Sequence, residues 1–265
     1  AVFLNNQSRS TQNIPEKTFL EENGFESHYS CGRYGVKTYA RYRKNSEAAC
    51  ARCGQAVYFS HIRSSQKERD NGVRHGSAQI RNACADRNVV FIEEKEPLGT
   101  AGGVKACEGL VDGDFLVISG DAITDIDLGA AVAFHKGHGG AATVVLSEVK
   151  SPFEYGVCLT DDDGKITDLV EKPGWERAYS GTVNTGIYVF SREVFDFIEY
   201  GKEQDFAKDV FPSMIADGKN IYGYRAAGYW CDIGSTGSYL SCNADALAGK
   251  VGLEPAENNK VTGAI

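Results

Sequence analysis

The chain has 265 residues, of which 42% are hydrophobic and 24% are charged, enough for one large domain or two small ones with a sizeable core. It contains no run of 18 apolar residues and no basic segment leading into an apolar one, which argues against a transmembrane helix and a secretory signal. Eight cysteines are too sparse for a disulfide scaffold, so we expect a soluble, cytoplasmic protein with no membrane partner.

The first 88 residues differ from the rest in charge and composition. They carry 14 Lys and Arg against 8 Asp and Glu, a balance of +6, whereas residues 89–265 carry 14 against 28, a balance of −14. Leu, Ile, Val and Phe make up 13 of these 88 residues, about 15%, which is below the roughly 20% at which a charged chain struggles to bury a core. We predict an aberrant, poorly ordered segment over residues 1–88, and a folded domain over residues 89–250. Residues 251–265 are polar and are predicted to be a linker or a truncated C-terminal extension.

Two other interpretations of the first segment stay open. The pair His28 and Cys31 is separated from the pair Cys50 and Cys53 by 18 intervening residues, which is near the spacing of a zinc ribbon. The basic balance also suggests nucleic acid, but the segment lacks interleaved aromatic residues and a recognisable fold. We therefore expect no nucleic-acid partner.

The acidic part is predicted to be an α/β domain with a mixed, mostly parallel sheet covered on both faces. Its apolar runs indicate strands over Phe115–Ser119, Ala141–Val149 and Val183–Phe190, with a hairpin formed by Tyr155–Thr160 and Lys165–Glu171. Helices are expected over Leu128–Phe134, Phe206–Ala216 and Tyr239–Leu247. Ligands of such a sheet bind at the carboxyl ends of its strands.

Several motifs lie at those strand ends. Gly99-Thr-Ala-Gly-Gly103 would let the backbone approach a flat ligand or a phosphate, with a tight turn as the ordinary alternative. Gly120-Asp121 follows a strand, where a carboxylate is well placed for a divalent metal; a helix cap or turn aspartate is the alternative. Trp230-Cys-Asp232 supplies a second aspartate beside an aromatic residue.

Two further motifs point to a phosphorylated, hydroxyl-rich ligand. Lys172 of Glu171-Lys-Pro173 can offer a point charge to phosphate, although a solvated surface pair would look the same. Asn184-Thr185-Gly186 places polar side chains and a glycine inside a strand, which suggests close contact with hydroxyl groups.

In their order along the chain, these motifs resemble the sugar-1-phosphate nucleotidyltransferases, nearest to bacterial mannose-1-phosphate guanylyltransferases. The resemblance covers about residues 89–253. It rests on Glu94–Gly103, Val117-Ile-Ser-Gly-Asp121, Tyr155-Gly-Val157, Glu171-Lys-Pro173, Val183-Asn-Thr-Gly-Ile-Tyr188 and Gly228-Tyr-Trp-Cys-Asp-Ile-Gly234.

The resemblance implies a Rossmann-like nucleotidyltransferase fold and a reaction between a nucleoside triphosphate and a sugar-1-phosphate. By the same resemblance Asp121 and Asp232 hold Mg²⁺, and Lys172 binds the sugar phosphate, so these three are the expected catalytic residues. The expected substrate-binding residues are Gly99, Thr100, Gly120, Glu171, Asn184, Thr185 and Gly186. GTP with mannose-1-phosphate is favoured, and homo-oligomerisation is left open.

The family's glycine-rich triphosphate loop and its following Lys-Pro segment do not occur in residues 1–88, so the fold is expected to lack its normal first strand and loop. Read one base later, codons for residues 31–40 can encode A-G-G-M-G-S-R-L-T-P. In the same frame, codons for residues 47–56 can encode K-P-L-V-P-V-V-G-K-P. These are the two missing motifs in the right order, and we predict that this segment is frame-shifted and that the chain as written is nearly inactive.

The alternatives are a non-catalytic, sugar-nucleotide-binding regulatory subunit with a genuinely divergent amino terminus, and a glucose-1-phosphate uridylyl- or thymidylyltransferase.

Overall fold

A central sheet organises the fold of the computed structural model, which describes residues 2–5, 55–59, 89–92, 94, 96–176 and 180–252. The sheet order is β10-β6-β9-β4-β2-β1-β3, and β7 and β8 form a hairpin attached to β9. A separate two-stranded ribbon pairs β5 with β11. The strands are β1 (Val2–Asn5), β2 (Gln55–Phe59), β3 (Val89–Phe91), β4 (Phe115–Ser119), β5 (Ala122–Thr124), β6 (Ala142–Glu148), β7 (Gly156–Thr160), β8 (Ile166–Glu171), β9 (Thr182–Phe190), β10 (Ile221–Arg225) and β11 (Trp230–Asp232).

Within the described residues, four α-helices accompany the sheet: α1 (Gly99–Lys105), α2 (Leu128–His138), α3 (Phe211–Ala216) and α4 (Thr236–Leu247). The helix limits follow from capping residues. Asp127 accepts a hydrogen bond from the Ala130 N–H at the start of α2, and Gly139 ends that helix in the left-handed conformation. Ser235 forms a capping box at the start of α4, which explains why this helix begins before the predicted Tyr239.

Alternation along β4 shows how the sheet is covered on both faces. Phe115 and Val117 belong to one apolar cluster, whereas Leu116 and Ile118 belong to the other. This period of two is that of a strand buried on both sides, as the apolar run predicted. The first cluster takes in the rings of Phe190, Phe195, Phe206 and Phe211, and the second packs against α2 through Leu128, Ala131 and Val132.

The structure confirms an α/β fold with a mixed sheet, but the expectation of a mostly parallel sheet is wrong for the described strands. Only β2 with β4 and β6 with β10 pair in parallel. The other described pairings are antiparallel. Three of them involve β9, which runs antiparallel to β4, β6 and β7. Local sequence patterns carry no information on strand direction, so the error lay in the step from alternating elements to topology.

Six described strands were not predicted, namely β1, β2, β3, β5, β10 and β11. β10 is a short edge strand interrupted by Gly223, and β11 has three residues, so neither shows a clear period. Within the first 88 residues, the described strands β1 and β2 join the sheet beside β4, and most of the segment lies outside the described residues. The predictions for that segment, including the His28, Cys31, Cys50 and Cys53 set, therefore stay predictions. Among the helices of the described residues, none combines the length and the apolar character needed to cross a bilayer.

Candidate functional site

The ribbon of β5 and β11 brings the two predicted aspartates together. Asp121 lies in the turn between β4 and β5, and Asp232 is the last residue of β11. Asp232 faces Ala122 across the ribbon, and the Ile233 N–H donates to the Asp121 carbonyl at 2.9 Å. Both aspartates are half-buried, and the Ser119 hydroxyl donates to the Asp121 carboxylate. Residues distant in sequence thus become direct neighbours at one edge of the sheet.

A carboxylate that was not predicted anchors this ribbon. Asp125 accepts hydrogen bonds from the backbone N–H of Tyr229 and, at 2.6 Å, from that of Gly252. The Thr124 hydroxyl donates to the Tyr229 carbonyl at 2.6 Å. Gly228 adopts a φ of 117°, and a Cβ there would lie 2.6 Å from the Asp125 carboxylate oxygen, so only glycine allows this approach. The turn that leads into Asp232 is therefore held at several points.

Glu171 ends β8 opposite Gly156 of β7. A Cβ on Gly156 would lie 2.8 Å from the Glu171 Oε2 and 3.7 Å from the Asn184 Cβ, so Glu171 and Asn184 border the same glycine. Burial raises the pKa of the Glu171 carboxyl, and the nearby charge of Asp205 raises it further, against the lowering effects of Lys208 and Lys172. A half-buried carboxylate with a raised pKa is typical of functional sites.

Lys172 has an unusual backbone for its residue type. Its φ of 45° makes it the one non-glycine residue with positive φ in the described part of the chain. It also precedes Pro173, and the residue before a proline normally adopts an extended backbone conformation rather than a helical one. Its N–H donates to the Tyr155 carbonyl at 3.0 Å, and Pro173 is buried behind it, while the Lys172 side chain is exposed. Such conformations persist where surrounding contacts enforce them, often at ligand sites.

The predicted sugar-binding triplet in β9 has internal hydrogen-bond partners. The Asn184 amide donates to the Tyr188 hydroxyl at 2.9 Å and accepts from the Gly186 N–H at 2.9 Å. Thr185 is buried, and its hydroxyl donates to the Val145 carbonyl at 2.8 Å. Gly186 has a φ of 75°, and a Cβ there would stand 3.1 Å from the Ser119 Cβ. These residues shape the strand where it crosses the Ser119–Asp121 turn, and their contact with sugar stays a prediction.

The glycine-rich segment packs against the residues before the π-helical turn at Phe206–Val210. Gly99 has a φ of 73°, and a Cβ there would lie 2.4 Å from the Gln204 carbonyl oxygen. The Thr100 hydroxyl donates to the Asp205 carboxylate at 2.9 Å and accepts from the Phe206 N–H at 3.0 Å. The structure thus gives Gly99 and Thr100 a packing role, and their nucleotide contact stays a prediction, as does that of the buried Gly120.

Asp205 and Tyr155 link these segments, and the sequence-based reasoning assigned neither a role. Asp205 caps its turn through the N–H groups of Ala207 and Lys208 and lies between Thr100 and Glu171. The Tyr155 ring meets the Trp230 ring edge-on, with centroids 5.3 Å apart. Burial raises the pKa of Tyr155, and the nearby Asp232 charge adds to the rise. An aspartate immediately before a predicted helix was the available signal for Asp205.

The donor set near Asp121 suits a hard divalent cation. Mg²⁺ takes oxygen ligands and is usually held by one or two carboxylates together with substrate phosphates. Asp121, Asp232 and the Ser119 hydroxyl provide such oxygens at one edge of the sheet. Over the described residues there is no group of three or more His, Cys, Asp or Glu arranged to hold a metal by itself. Magnesium binding at this place stays a prediction.

Comparison with protein families gives a match over most of this architecture. The family model described as nucleotidyl transferase matches residues 59–249. That range includes β4 to β11 and every predicted site residue.

Curated relatives with similar sequences are sugar-1-phosphate nucleotidyltransferases. The mannose-1-phosphate guanylyltransferase catalytic subunit beta of Drosophila pseudoobscura pseudoobscura is 33% identical over 194 residues, 72% of this chain and 49% of that protein. The UTP–glucose-1-phosphate uridylyltransferase of Synechocystis sp. is 41% identical over 147 residues, 54% of this chain and 38% of that protein. The mannose-1-phosphate guanylyltransferase of Mycobacterium tuberculosis is 34% identical over 61% of this chain and 45% of that protein. The matched regions span half or less of these relatives.

Solved structures confirm the fold. A putative glucose-1-phosphate thymidylyltransferase from Bacillus anthracis superposes with a TM-score of 0.60 at 20% identity, over 86% of this chain and 87% of that one. A UDP-glucose pyrophosphorylase complexed with UDP-glucose superposes with a TM-score of 0.59 at 20% identity, over 81% and 87% of the two chains. At this identity the likeness concerns the Rossmann-like architecture alone.

Proposed function

This chain belongs to the nucleotidyl transferase family, among relatives that are sugar-1-phosphate nucleotidyltransferases, and we propose that its site joins a nucleoside triphosphate to a sugar-1-phosphate. The observation that carries the proposal is that Asp232 faces Ala122, the residue after Asp121, and that the Ile233 N–H donates to the Asp121 carbonyl. Tyr155 connects that ribbon, through its ring contact with Trp230, to the backbone of Lys172. The expected metal ligands and the expected phosphate-binding lysine therefore border one region.

In the proposed reaction a phosphate oxygen of the sugar-1-phosphate forms a bond to the α-phosphorus of the triphosphate. The bond from the α-phosphorus to its bridging oxygen breaks, and pyrophosphate leaves with that electron pair. The chain's own residues act by binding and orientation, which is where most catalysis of this class arises. The Lys172 ammonium neutralises the sugar phosphate, and the Glu171 carboxylate accepts hydrogen bonds from sugar hydroxyls. Asp121 and Asp232 would hold Mg²⁺, which when bound supplies charge neutralisation at the phosphates.

For the substrates we favour GTP and mannose-1-phosphate. Support comes from the guanylyltransferase relatives, one of which matches over 194 residues, whereas the uridylyltransferase matches over 147. The uridylyltransferase has the higher sequence identity, 41% against 33%, but over a shorter match. UTP with glucose-1-phosphate is therefore the second candidate pair of substrates. A site that pairs with one polar base edge rejects the wrong base by roughly 10⁴-fold or more, so the preference will be plain once measured.

The state of the first 88 residues bears on turnover. The family's triphosphate loop is not found there in the written frame, and we expect this chain to bind ligands but to turn over slowly or not at all. A non-catalytic, sugar-nucleotide-binding regulatory subunit is favoured by the same observation. Turnover after restoration of the shifted frame distinguishes the two, because a regulatory subunit would stay inactive.

The test combines binding and turnover. Calorimetry on the full chain should show binding of GDP-mannose, and the frame-restored protein with Mg²⁺ should release pyrophosphate fastest from GTP and mannose-1-phosphate. Preference for UTP or dTTP with glucose-1-phosphate would overturn the substrate assignment and leave the reaction class standing. No turnover with any of the four triphosphates and either sugar phosphate, in a folded protein, would overturn both.

Asp121→Ala should abolish pyrophosphate release in the frame-restored protein without unfolding it, because its proposed role is to hold metal. The matched control is Asp162→Ala, which removes an exposed carboxylate from the hairpin turn and should leave activity unchanged. Equal activity of the Asp121 variant and the control would contradict the metal assignment. Circular dichroism and the thermal midpoint verify that both variants are folded.

A further inference from the structure

Trp175 is a large aromatic residue that is open to solvent three residues after Lys172. Its exposed fraction is 86%. Its ring lies against Phe153, with centroids 4.4 Å apart and an interplanar angle of 45°. The ring is thus held on one side by a neighbour, while most of its surface remains available to a ligand.

The backbone around Trp175 is built by the same corner that presents Lys172. Lys172 has its positive φ, Pro173 is buried, and two residues later Trp175 is exposed. Three residues span at most about 10 Å of chain, so the backbones of Lys172 and Trp175 lie no farther apart than that. The Lys172 N–H bond to the Tyr155 carbonyl, at 3.0 Å, ties this corner to the turn that carries Phe153.

A second aromatic contact continues from this corner toward the aspartates. Tyr155 is two residues after Phe153, and its ring meets Trp230, whose indole N–H donates to the Thr185 carbonyl at 3.1 Å. We define the aromatic rim as Phe153, Tyr155, Trp175 and Trp230. It borders Lys172 on one side and Asp232 on the other, and of its two tryptophans Trp230 is half-buried while Trp175 is open.

We propose that Trp175 recognises the hexose ring of the sugar-1-phosphate, packing its open face on the C–H face of the pyranose while Lys172 holds the phosphate. This inference rests on the proposed function. Aromatic rings contribute flat, apolar area to ligand sites in which a few polar groups fix orientation. Glu171 and Lys172 would supply the polar contacts, and Trp175 the apolar one that separates a hexose phosphate from inorganic phosphate.

Tryptophan fluorescence tests this directly, because the chain has two tryptophans and Trp175→Phe leaves only Trp230. Titration of the full chain with mannose-1-phosphate should shift the emission to shorter wavelength as Trp175 is covered, and Trp175→Phe should lose that shift. By calorimetry, Trp175→Ala should weaken mannose-1-phosphate binding by about three- to tenfold, whereas inorganic phosphate should bind with unchanged affinity. Its thermal midpoint should not change, because the ring is exposed.

Tyr200→Ala is the matched control, since it removes an aromatic ring that is 82% exposed, and it should leave both affinities unchanged. If the wild-type chain binds mannose-1-phosphate and Trp175→Ala binds it equally well, the inference is overturned and the proposed function stands. If the wild-type chain binds neither a hexose phosphate nor GDP-mannose or UDP-glucose, the proposed function and the inference fall together.

Discussion

At the scale of one residue, ionised Glu171 lowers stability while its proposed role is to bind ligand. Its raised pKa means that the folded protein holds a proton there more tightly than the unfolded chain does. Stability contributed by the protonated group is therefore present below the ordinary carboxyl value of 4.5 and is lost as pH rises through the folded pKa. At neutral pH the ionised Glu171 therefore lowers the free energy of unfolding. A role in ligand binding would explain why the protein carries this destabilising group.

We therefore expect Glu171→Gln to raise the thermal midpoint at pH 7.5, with a gain that shrinks as pH falls through the raised folded pKa and is lost by pH 4.5. The same change should weaken mannose-1-phosphate binding about tenfold or more, because a hydrogen bond to a charged group is lost. Scanning calorimetry and titration calorimetry measure the two effects. A destabilised variant with unchanged affinity would show that Glu171 is a structural group.

His135 is a buried side chain of α2 with a different pH signature. Its ring nitrogens lie 2.9 Å from the Thr143 hydroxyl and 3.3 Å from the Ser191 hydroxyl. Burial lowers its pKa, with Asp114 opposing and Lys136 adding to the effect. The unfolded chain therefore binds the proton more readily, and stability should fall as pH drops below the ordinary histidine value of 6.5.

His135→Gln should lose about 1–3 kcal/mol at pH 7.5 through broken hydrogen bonds, and its stability should vary less with pH between 6.5 and 5. Urea unfolding at several pH values checks this. The control is His138→Gln, an exposed histidine on the same helix, which should retain the wild-type pH profile. Identical profiles for wild type and His135→Gln would rule out His135 as the source.

At the scale of elements, α1 packs through two glycines as well as through the buried side chains of Ala101 and Val104. A Cβ on Gly102 would lie 2.3 Å from the Lys202 carbonyl oxygen, and the N–H groups of Ala101 and Gly102 donate to the Gln204 carbonyl. The helix therefore meets a backbone segment directly, which a side chain would prevent. The glycines of the motif are explained by packing as well as by any ligand.

Gly102→Ala should destabilise the protein by about 1–3 kcal/mol, since the clash is with backbone that cannot move cheaply. Gly109→Ala is the control, because a Cβ there meets nothing within 4 Å. Chemical denaturation of the two variants separates the steric effect from the general effect of replacing glycine. Equal stability would mean that the 202–204 segment relaxes freely.

At the scale of the whole molecule, we interpret the amino-terminal segment and the domain as translated from different reading frames. The family match begins at residue 59, after both back-translated motifs. The frame-shift hypothesis stays a prediction, because residues 6–54 lie outside the described residues.

Sequencing the DNA across residues 25–90 should reveal an inserted or deleted base on each side of the segment. Restoration of the frame should raise the thermal midpoint and bring turnover from near zero to a readily measured rate, because the restored loop supplies contacts to the triphosphate. A continuous open frame with no nearby shift would support a genuine divergent terminus instead.

Local patterns in the sequence determined most elements of the domain. The apolar run at Phe115–Ser119 and the turn residues at Asp161–Gly164 act between near neighbours along the chain, so β4 and the β7–β8 hairpin were predictable. The order of the motifs along the chain likewise indicated the family, and the match over residues 59–249 confirms it.

Only the tertiary structure decided the direction of β9, the adjacency of Asp121 and Asp232, and the internal bonding of Thr100 and Thr185. Each depends on contacts between residues far apart in sequence, and residue types alone do not state which distant group will meet a hydroxyl or a carboxylate. The exposure of Trp175 belongs here too, because tryptophan is highly buried on average in proteins.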